Sequence, residues 1–218
     1  MNSHTYDNKS AEYFGQGRTE MLKFVPDNTR SLLEVGCGKG EFVAKLKAQR
    51  ALHATGVEPY PDAAAEARQH FDVVLQSGID DAVAQLPGHQ FDCIVFNDVL
   101  EHLVDPWAVL RMVKPLLSAD GCVVASIPNV RFWPVLNALF QHGEWDYADD
   151  GVLDRTHLRF FTRSTMSELF KSSGYRVELM EGINAVELPW KVALLNRLIG
   201  QRFNDSRFTQ FACVARAA

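Results

Sequence analysis

The sequence predicts an α/β fold, a doubly wound and mostly parallel sheet with helices on both faces. Three observations carry this. Five short apolar runs rich in β-branched residues recur before residue 129, and each is separated from the next by a stretch with apolar residues near three-to-four spacing. That alternation is the mark of βαβ units. The first run enters a glycine-rich turn, GCGKG at 36–40, which opens a helical pattern. Finally, Glu58 closes the second run, about 20 residues beyond the turn, as nucleotide-binding folds of this class place an acid.

The elements follow in order. SLLEV (31–35) reads as the first strand and EFVAKLKAQ (41–49) as the first helix; ALHATGVE (51–58) and PDAAAEARQHF (61–71) form the next pair. DVVLQ (72–76) precedes a helix in DDAVAQL (80–86), FDCIVFND (91–98) precedes PWAVLRMVKPLLS (106–118), and GCVVASIP (121–128) is the fifth strand. Pro61 and Pro106 stand where a first helical turn tolerates proline, and Ala119-Asp120-Gly121 supplies a turn. After Pro128 the rhythm changes. Residues 129–162 are aromatic-rich and read as a long irregular, cap-like insertion, because a loop of this length in a compact domain usually carries function. A helix at 164–172 and strands in YRVELMEGI (175–183) and RFTQFACVARA (207–217) complete the chain, the two strands separated by an apolar helical segment, ELPWKVALLNRLIGQ (187–201). The expectation is a single domain over 1–218: an N-terminal helical or capping segment at 1–30, a cofactor-binding core at 31–128, and substrate-side insertions at 129–163 and 187–205.

Composition narrows the function. At 218 residues with 47% hydrophobic content, the chain suits one domain with a full core. A net charge of −5 argues against a broad nucleic-acid-binding face and for small-molecule partners. An RNA-modifying role is correspondingly the weaker reading. Cys37, Cys93, Cys122 and Cys213 are widely spaced with no C-x-x-C pair, as expected of buried thiols in a reducing cytoplasm. The polar stretch MNSHTYDNKSAEYFG lacks an apolar leader, and no apolar run is long enough to span a bilayer. A cytoplasmic location is therefore expected.

A strand, a glycine turn and a helix N-terminus bring backbone N–H groups against a ligand. The dinucleotide fingerprint G-x-G-x-x-G fails because Glu41 stands where its third glycine should be, and Walker A fails because Lys39 is followed by Gly40. NAD(P)-dependent redox chemistry is thus the disfavoured enzyme alternative. Glu34, just before the turn, would repel a pyrophosphate but attract an amino or sulfonium cation. Glu58 is placed for a ribose diol. Ser77-Gly78-Ile79-Asp80 offers an apolar surface to adenine and an acceptor to its amine. Each feature has a plain structural reading, as turn glycine or helix cap; their spacing together describes an adenosine with a cationic tail.

On these residues, and on FDCIVFNDVLEHLVDPWAVL (91–110), the sequence resembles the class I, Rossmann-like S-adenosylmethionine-dependent methyltransferases over roughly residues 30–130. The resemblance implies seven strands with the last antiparallel, and S-adenosylmethionine as cofactor with S-adenosylhomocysteine as product. It implies cofactor contacts from Glu34, Gly36, Cys37, Gly38, Gly40, Glu58, Pro59, Gly78, Ile79, Asp80, Asn97 and Asp98. Residues 127–133 and 154–162 resemble bacterial methyltransferases of polysaccharide and other small-molecule biosynthesis.

Methyl transfer needs chiefly positioning and, for a hydroxyl acceptor, proton removal. His102 and His157 are the candidate catalytic bases; the alternative for His102 is that it orients the loop or packs against the cofactor. Arg155, His157 and Arg159, with Arg131, can grip an anionic acceptor, or Arg155 and Arg159 can staple the loop by pairing with Asp149, Asp150 or Asp154. Trp133 and neighbouring aromatics are candidates for an acceptor wall or for core. Segment 188–199 reads as a lid, a dimer contact, a surface meeting a lipid-linked acceptor, or a packed helix. No metal is expected from ligand spacing. The function expected is methyl transfer to oxygen of a sugar, phenol or related metabolite. A non-catalytic nucleotide-binding or regulatory domain is the alternative from a different class.

Overall fold

The computed structural model describes residues 17–218. Of the expected N-terminal segment, residues 1–16 lie outside that range, and Thr19–Phe24 forms a 3-10 helix. Seven strands follow: β1 (Ser31–Val35), β2 (His53–Val57), β3 (Val73–Leu75), β4 (Phe91–Asn97), β5 (Leu117–Pro128), β6 (Tyr175–Ala185) and β7 (Phe208–Ala217). Helices α1 (Glu41–Gln49), α2 (Pro61–Ala67), α3 (Ile79–Ala84), α4 (Pro106–Val113), α5 (Trp133–His142), α6 (Arg163–Ser172) and α7 (Trp190–Leu198) lie between them, α5 and α6 both between β5 and β6.

The strands form one sheet in the order β3-β2-β1-β4-β5-β7-β6. β7 runs antiparallel to both β5 and β6, and the pairings among β1 to β5 are parallel. The expected topology, with its antiparallel last strand, is therefore the one observed. Because side chains alternate across a strand, neighbouring residues enter different cores. Leu33, Ile94, Phe96, Val123 and Ala125 face α3, α4 and α6, whereas Leu32, Cys93, Val95, Cys122 and Val124 face α1, α2 and the 3-10 helix. All four cysteines are buried and free. Tyr175 ties β6 to α4 by donating its hydroxyl to Leu110 O at 2.6 Å.

Three elements differ from the sequence reading. The helix expected over 106–118 ends at Val113 and continues as a 3-10 turn, Lys114–Leu116, because Pro115 has no N–H for a helical bond. The helix expected to reach residue 71 stops at Ala67, and Gln69 and His70 close tighter i→i+3 turns. The stretch after Pro128, expected to be irregular, contains α5. Pro134 occupies its first turn and Gly143 terminates it at φ 70.

Strand order reverses between β1 and β4, since the chain moves outward through β2 and β3 and then returns to the other side of β1. Ligands of open α/β sheets bind in the crevice this leaves at the carboxyl ends of the strands. The insertions carrying α5 and α7 leave from the carboxyl ends of β5 and β6, and so rise from the same edge.

Candidate active site

A cavity of about 440 Å³ occupies that crevice. Its floor is the turn after β1. Gly36 N and Cys37 N donate to Val57 O at 2.8 and 3.1 Å, which folds the turn over β2. Gly36 has φ 68, and a Cβ there would come within 2.6 Å of Val99 Cγ2. Only glycine meets both demands.

Glu58 braces the turn rather than standing apart from it. Its Oε2 accepts from Gly38 N at 2.8 Å and its Oε1 from Tyr60 N at 3.0 Å. Burial raises its pKa, against the lowering effect of those two bonds. Glu34 Oε1 accepts from Asn97 Nδ2 at 3.3 Å, while Oε2 has no partner among the described residues. Burial, opposed by the Asn97 bond and reinforced by Glu58, pushes Glu34 up to about 8. A buried carboxylate with an open oxygen and a second acid nearby suits a cation, and the glycine turn leaves room for an adenosyl ligand, so these residues fit S-adenosylmethionine. Cys37, Pro59, Gly78, Ile79, Asn97 and Asp98 also line the cavity. Gly40 instead packs against Phe71 at the start of α1, and Asp80 is exposed on α3; neither reaches the wall.

Asp98 takes a left-handed conformation, φ 53, which aspartate tolerates better than most residues. It is held by Ser126 Oγ at 2.7 Å, Gln210 Nε2 at 2.8 Å and an ion pair with Arg18. Arg18 lines the cavity and bonds Gln210 Oε1 at 3.0 Å. Sequence reasoning missed Arg18 and Gln210, because neither stands in a motif and their contacts join distant parts of the chain.

The far wall comes from the 129–163 insertion. Leu158 N and Arg159 N both donate to Glu101 O, at 2.9 and 3.0 Å, and Val130 N donates to Phe161 O at 2.8 Å. This strap brings His157 beside His102, their ring centroids 4.7 Å apart. Backbone carbonyls accept hydrogen bonds only, so His157 Nδ1, 3.0 Å from Val152 O, and His102 Nδ1, 3.2 Å from Thr156 O, carry the protons. Nε2 is then the basic nitrogen of each ring. Thr156 Oγ1 also meets His102 Nδ1 and donates to Asp154 Oδ1 at 2.7 Å.

Glu101, on the 3-10 turn Leu100–His102, is 1% exposed, and neither carboxylate oxygen has a hydrogen-bond partner among the described residues. Burial is the main cause of its rise to about 8. His157 Nε2 lies 4.0 Å from Glu101 Oε1. Glu101, His102 and His157 each offer one ligand atom, all within 4.8 Å of one another. The sequence reading found no such carboxylate–histidine group, because residues 101 and 157 meet only through the fold.

The raised acids give the ligand-free protein a pH dependence. Folded Glu34 and Glu101 keep protons up to about pH 8 that the unfolded chain, with its carboxylates near 4.5, has already released. Their contribution to stability is present below 4.5 and lost as pH rises through 8. The melting temperature is expected to fall between pH 6 and pH 9, and to fall less in the Glu34→Gln/Glu101→Gln double variant. Thermal scans of both proteins check this.

The other expected substrate residues are not in the cavity wall. Arg155 pairs with Asp149 at 2.9 Å, as in the loop-staple reading, whereas Arg159 donates to Val104 O rather than to an acid of the loop. Arg131 pairs with Asp205 at 3.0 Å and lines a separate cavity, and Trp133 begins α5.

Comparison with known proteins agrees with this architecture. Residues 6–179 match the family model described as a methyltransferase domain. A ubiquinone biosynthesis O-methyltransferase of Aeromonas salmonicida is 25% identical over 171 residues, covering 73% of this chain and 68% of that protein. Its namesake in Xanthomonas campestris pv. campestris strain B100 is 34% identical over 108 residues, covering 45% of this chain and 43% of its own length. The chain thus spans less than half of that second relative. A crystal structure of a SAM-dependent methyltransferase from Archaeoglobus fulgidus superposes with TM-score 0.69 at 20% identity, covering 94% of each chain. The plantazolicin methyltransferase BamL, solved with SAH, superposes at TM-score 0.61 and 14% identity, covering 97% of this chain and 86% of its own. The glycine turn, the two acids beneath it and the family match converge: the chain belongs to the methyltransferase domain family, as a Rossmann-like S-adenosylmethionine-dependent methyltransferase.

Proposed function

We propose that the protein methylates a hydroxyl oxygen of a small molecule, a phenol, sugar or related metabolite. The observation that carries this is the pair of buried histidines, His102 and His157, fixed by backbone carbonyls with Nε2 as the basic nitrogen, in a cavity that also holds the cofactor turn. O-methyl transfer is also the activity in the printed names of the two relatives above.

S-adenosylmethionine supplies a methyl group on a sulfonium, which the acceptor oxygen takes as the C–O bond forms and the C–S bond breaks, leaving a neutral thioether. The residues of this chain arrange that exchange. Glu34 would face the cationic methionine portion, and Glu58 would accept from the ribose while its bonds to Gly38 and Tyr60 hold the turn. Ile79 and Asn97 would border the adenine and the transfer point respectively. A histidine Nε2 takes the hydroxyl proton as the oxygen attacks, and its Nδ1–H bond to a carbonyl keeps the ring in the acceptor tautomer. The strap over residues 154–161 supplies Asp154 and His157 to the cavity wall.

One observation favours a second reading of the same residues. Glu101 presents two oxygens without hydrogen-bond partners among the described residues, within ligand reach of both histidines. A divalent cation there would activate the hydroxyl directly, with the histidines as ligands.

The test is transfer of labelled methyl from S-adenosylmethionine to a panel of phenols, sugars and amines, before and after chelator dialysis. Transfer to hydroxyl acceptors that survives dialysis supports the histidine base, and transfer restored only by added metal supports the cation. Exclusive transfer to amines, or none to any acceptor, contradicts O-methylation.

A further inference from the structure

The insertion between β6 and β7 carries a helix that faces the wrong way for a packed one. Surface helices bury their apolar stripe and expose their polar face. In α7, Trp190 is 72% exposed, Leu194 55%, Leu195 52%, Leu198 76% and the adjoining Ile199 37%, while the one buried residue is Asn196. At about 100° per residue these five apolar positions span about half the helix circumference. The anchoring side is polar. Asn196 Nδ2 donates to Asn204 Oδ1 at 2.7 Å, and Asn196 Oδ1 accepts from Phe203 N at 2.7 Å. Those bonds tie the helix to the turn that follows it within the same insertion, and the apolar arc stays exposed.

Charge identifies what covers that arc. The chain has a net charge of −5, yet residues 188–203 contain Lys191, Arg197 and Arg202 and no acid. Lys191 Nζ lies 5.6 Å from the Trp190 ring centroid, so a cation and an interfacial aromatic share one end of the helix. At the other end Arg202 borders a cavity with Arg131, Arg163 and Lys171, whose one acid, Asp205, is already paired with Arg131. An apolar arc containing tryptophan, with Lys191 inside it and Arg197 at its edge, is what an interfacial helix presents to anionic headgroups. No helix among the described residues is long and apolar enough to cross a membrane, so contact through α7 would be peripheral.

We infer that α7 docks the protein on an anionic lipid bilayer. The insertion begins after Ala185 and ends before Phe208, and Asn184, Thr209 and Gln210 beside those ends line the active-site cavity. A bilayer held by α7 therefore lies at the sheet edge where the cavity opens, and an acceptor with an apolar tail reaches the site from the membrane. The docking surface does not depend on the proposed reaction.

The experiment is co-sedimentation of the full chain with vesicles of phosphatidylglycerol mixed with phosphatidylcholine, and of phosphatidylcholine alone. Binding is expected to the anionic vesicles and to weaken with salt. Lys191→Gln/Arg197→Gln is expected to lower the partition constant about thirtyfold, at about fivefold for each cation near the surface. Leu194→Asp/Leu198→Asp is expected to abolish partition. Unchanged calorimetric affinity for S-adenosylhomocysteine in both variants shows that the fold is retained. The inference is overturned if the wild type ignores anionic vesicles at low salt, or if both variants bind as well as wild type. It is equally overturned if a wild-type dimer becomes monomeric in Leu194→Asp/Leu198→Asp without any vesicle binding, which would assign the arc to a second copy.

Discussion

Replacing Glu58 by alanine is expected to weaken S-adenosylmethionine binding about a hundredfold while leaving the protein folded. Two charge-assisted hydrogen bonds to a ribose diol at about 1.5 kcal/mol each correspond to roughly that factor. The variant also frees Gly38 N and Tyr60 N, which Glu58 holds at 2.8 and 3.0 Å, so the turn loses its brace together with its ribose acceptor. Removing an acid whose pKa is raised by burial relieves a desolvation cost. The fold is therefore expected to melt near the wild-type temperature. Calorimetry checks affinity and a thermal scan checks folding. Unchanged affinity would remove Glu58 from cofactor binding.

The second large effect is on turnover. His157→Gln and His102→Ala are each expected to lower kcat about 100-fold to 1,000-fold, within the range for losing a general base, and to leave cofactor affinity within about twofold. The split matters because both histidines are also packed in the strap, ring centroids 4.7 Å apart. A merely structural histidine would move stability and cofactor affinity together. A base moves kcat and abolishes the acidic limb of its pH profile. A rate unchanged in either variant would exclude that residue from the chemistry.

The cofactor half of the site was legible in the sequence because it depends on local order. The turn at 36–40 and the acid at 58 are set by strand and helix lengths that hardly vary in a βαβ unit. The strap was legible only as residue types. His157 reaches His102 through hydrogen bonds from Leu158 and Arg159 to Glu101 O, contacts that no periodicity announces. Glu101, between Leu100 and His102, carries no signal of its own in the sequence, and only the fold buries it. The arginines misled for the opposite reason. Arg155 and Arg131 have acids close at hand, Asp149 and Asp205, and pair with them rather than facing the cavity. Helix α5 was read as part of an irregular loop although Trp133, Leu136, Leu139 and Phe140 recur at helical spacing and Pro134 and Gly143 mark its ends; in the fold it buries no residue.

The crevice between β1 and β4 is the site expected to hold an adenosyl ligand with a cationic tail. The most direct measurement is calorimetric titration of the protein with S-adenosylmethionine and S-adenosylhomocysteine, with NADH as control. Saturable binding of both adenosyl ligands, absent for NADH and weakened in Glu58→Ala, is the predicted result. Binding of NADH alone, or of none of the three, would contradict it.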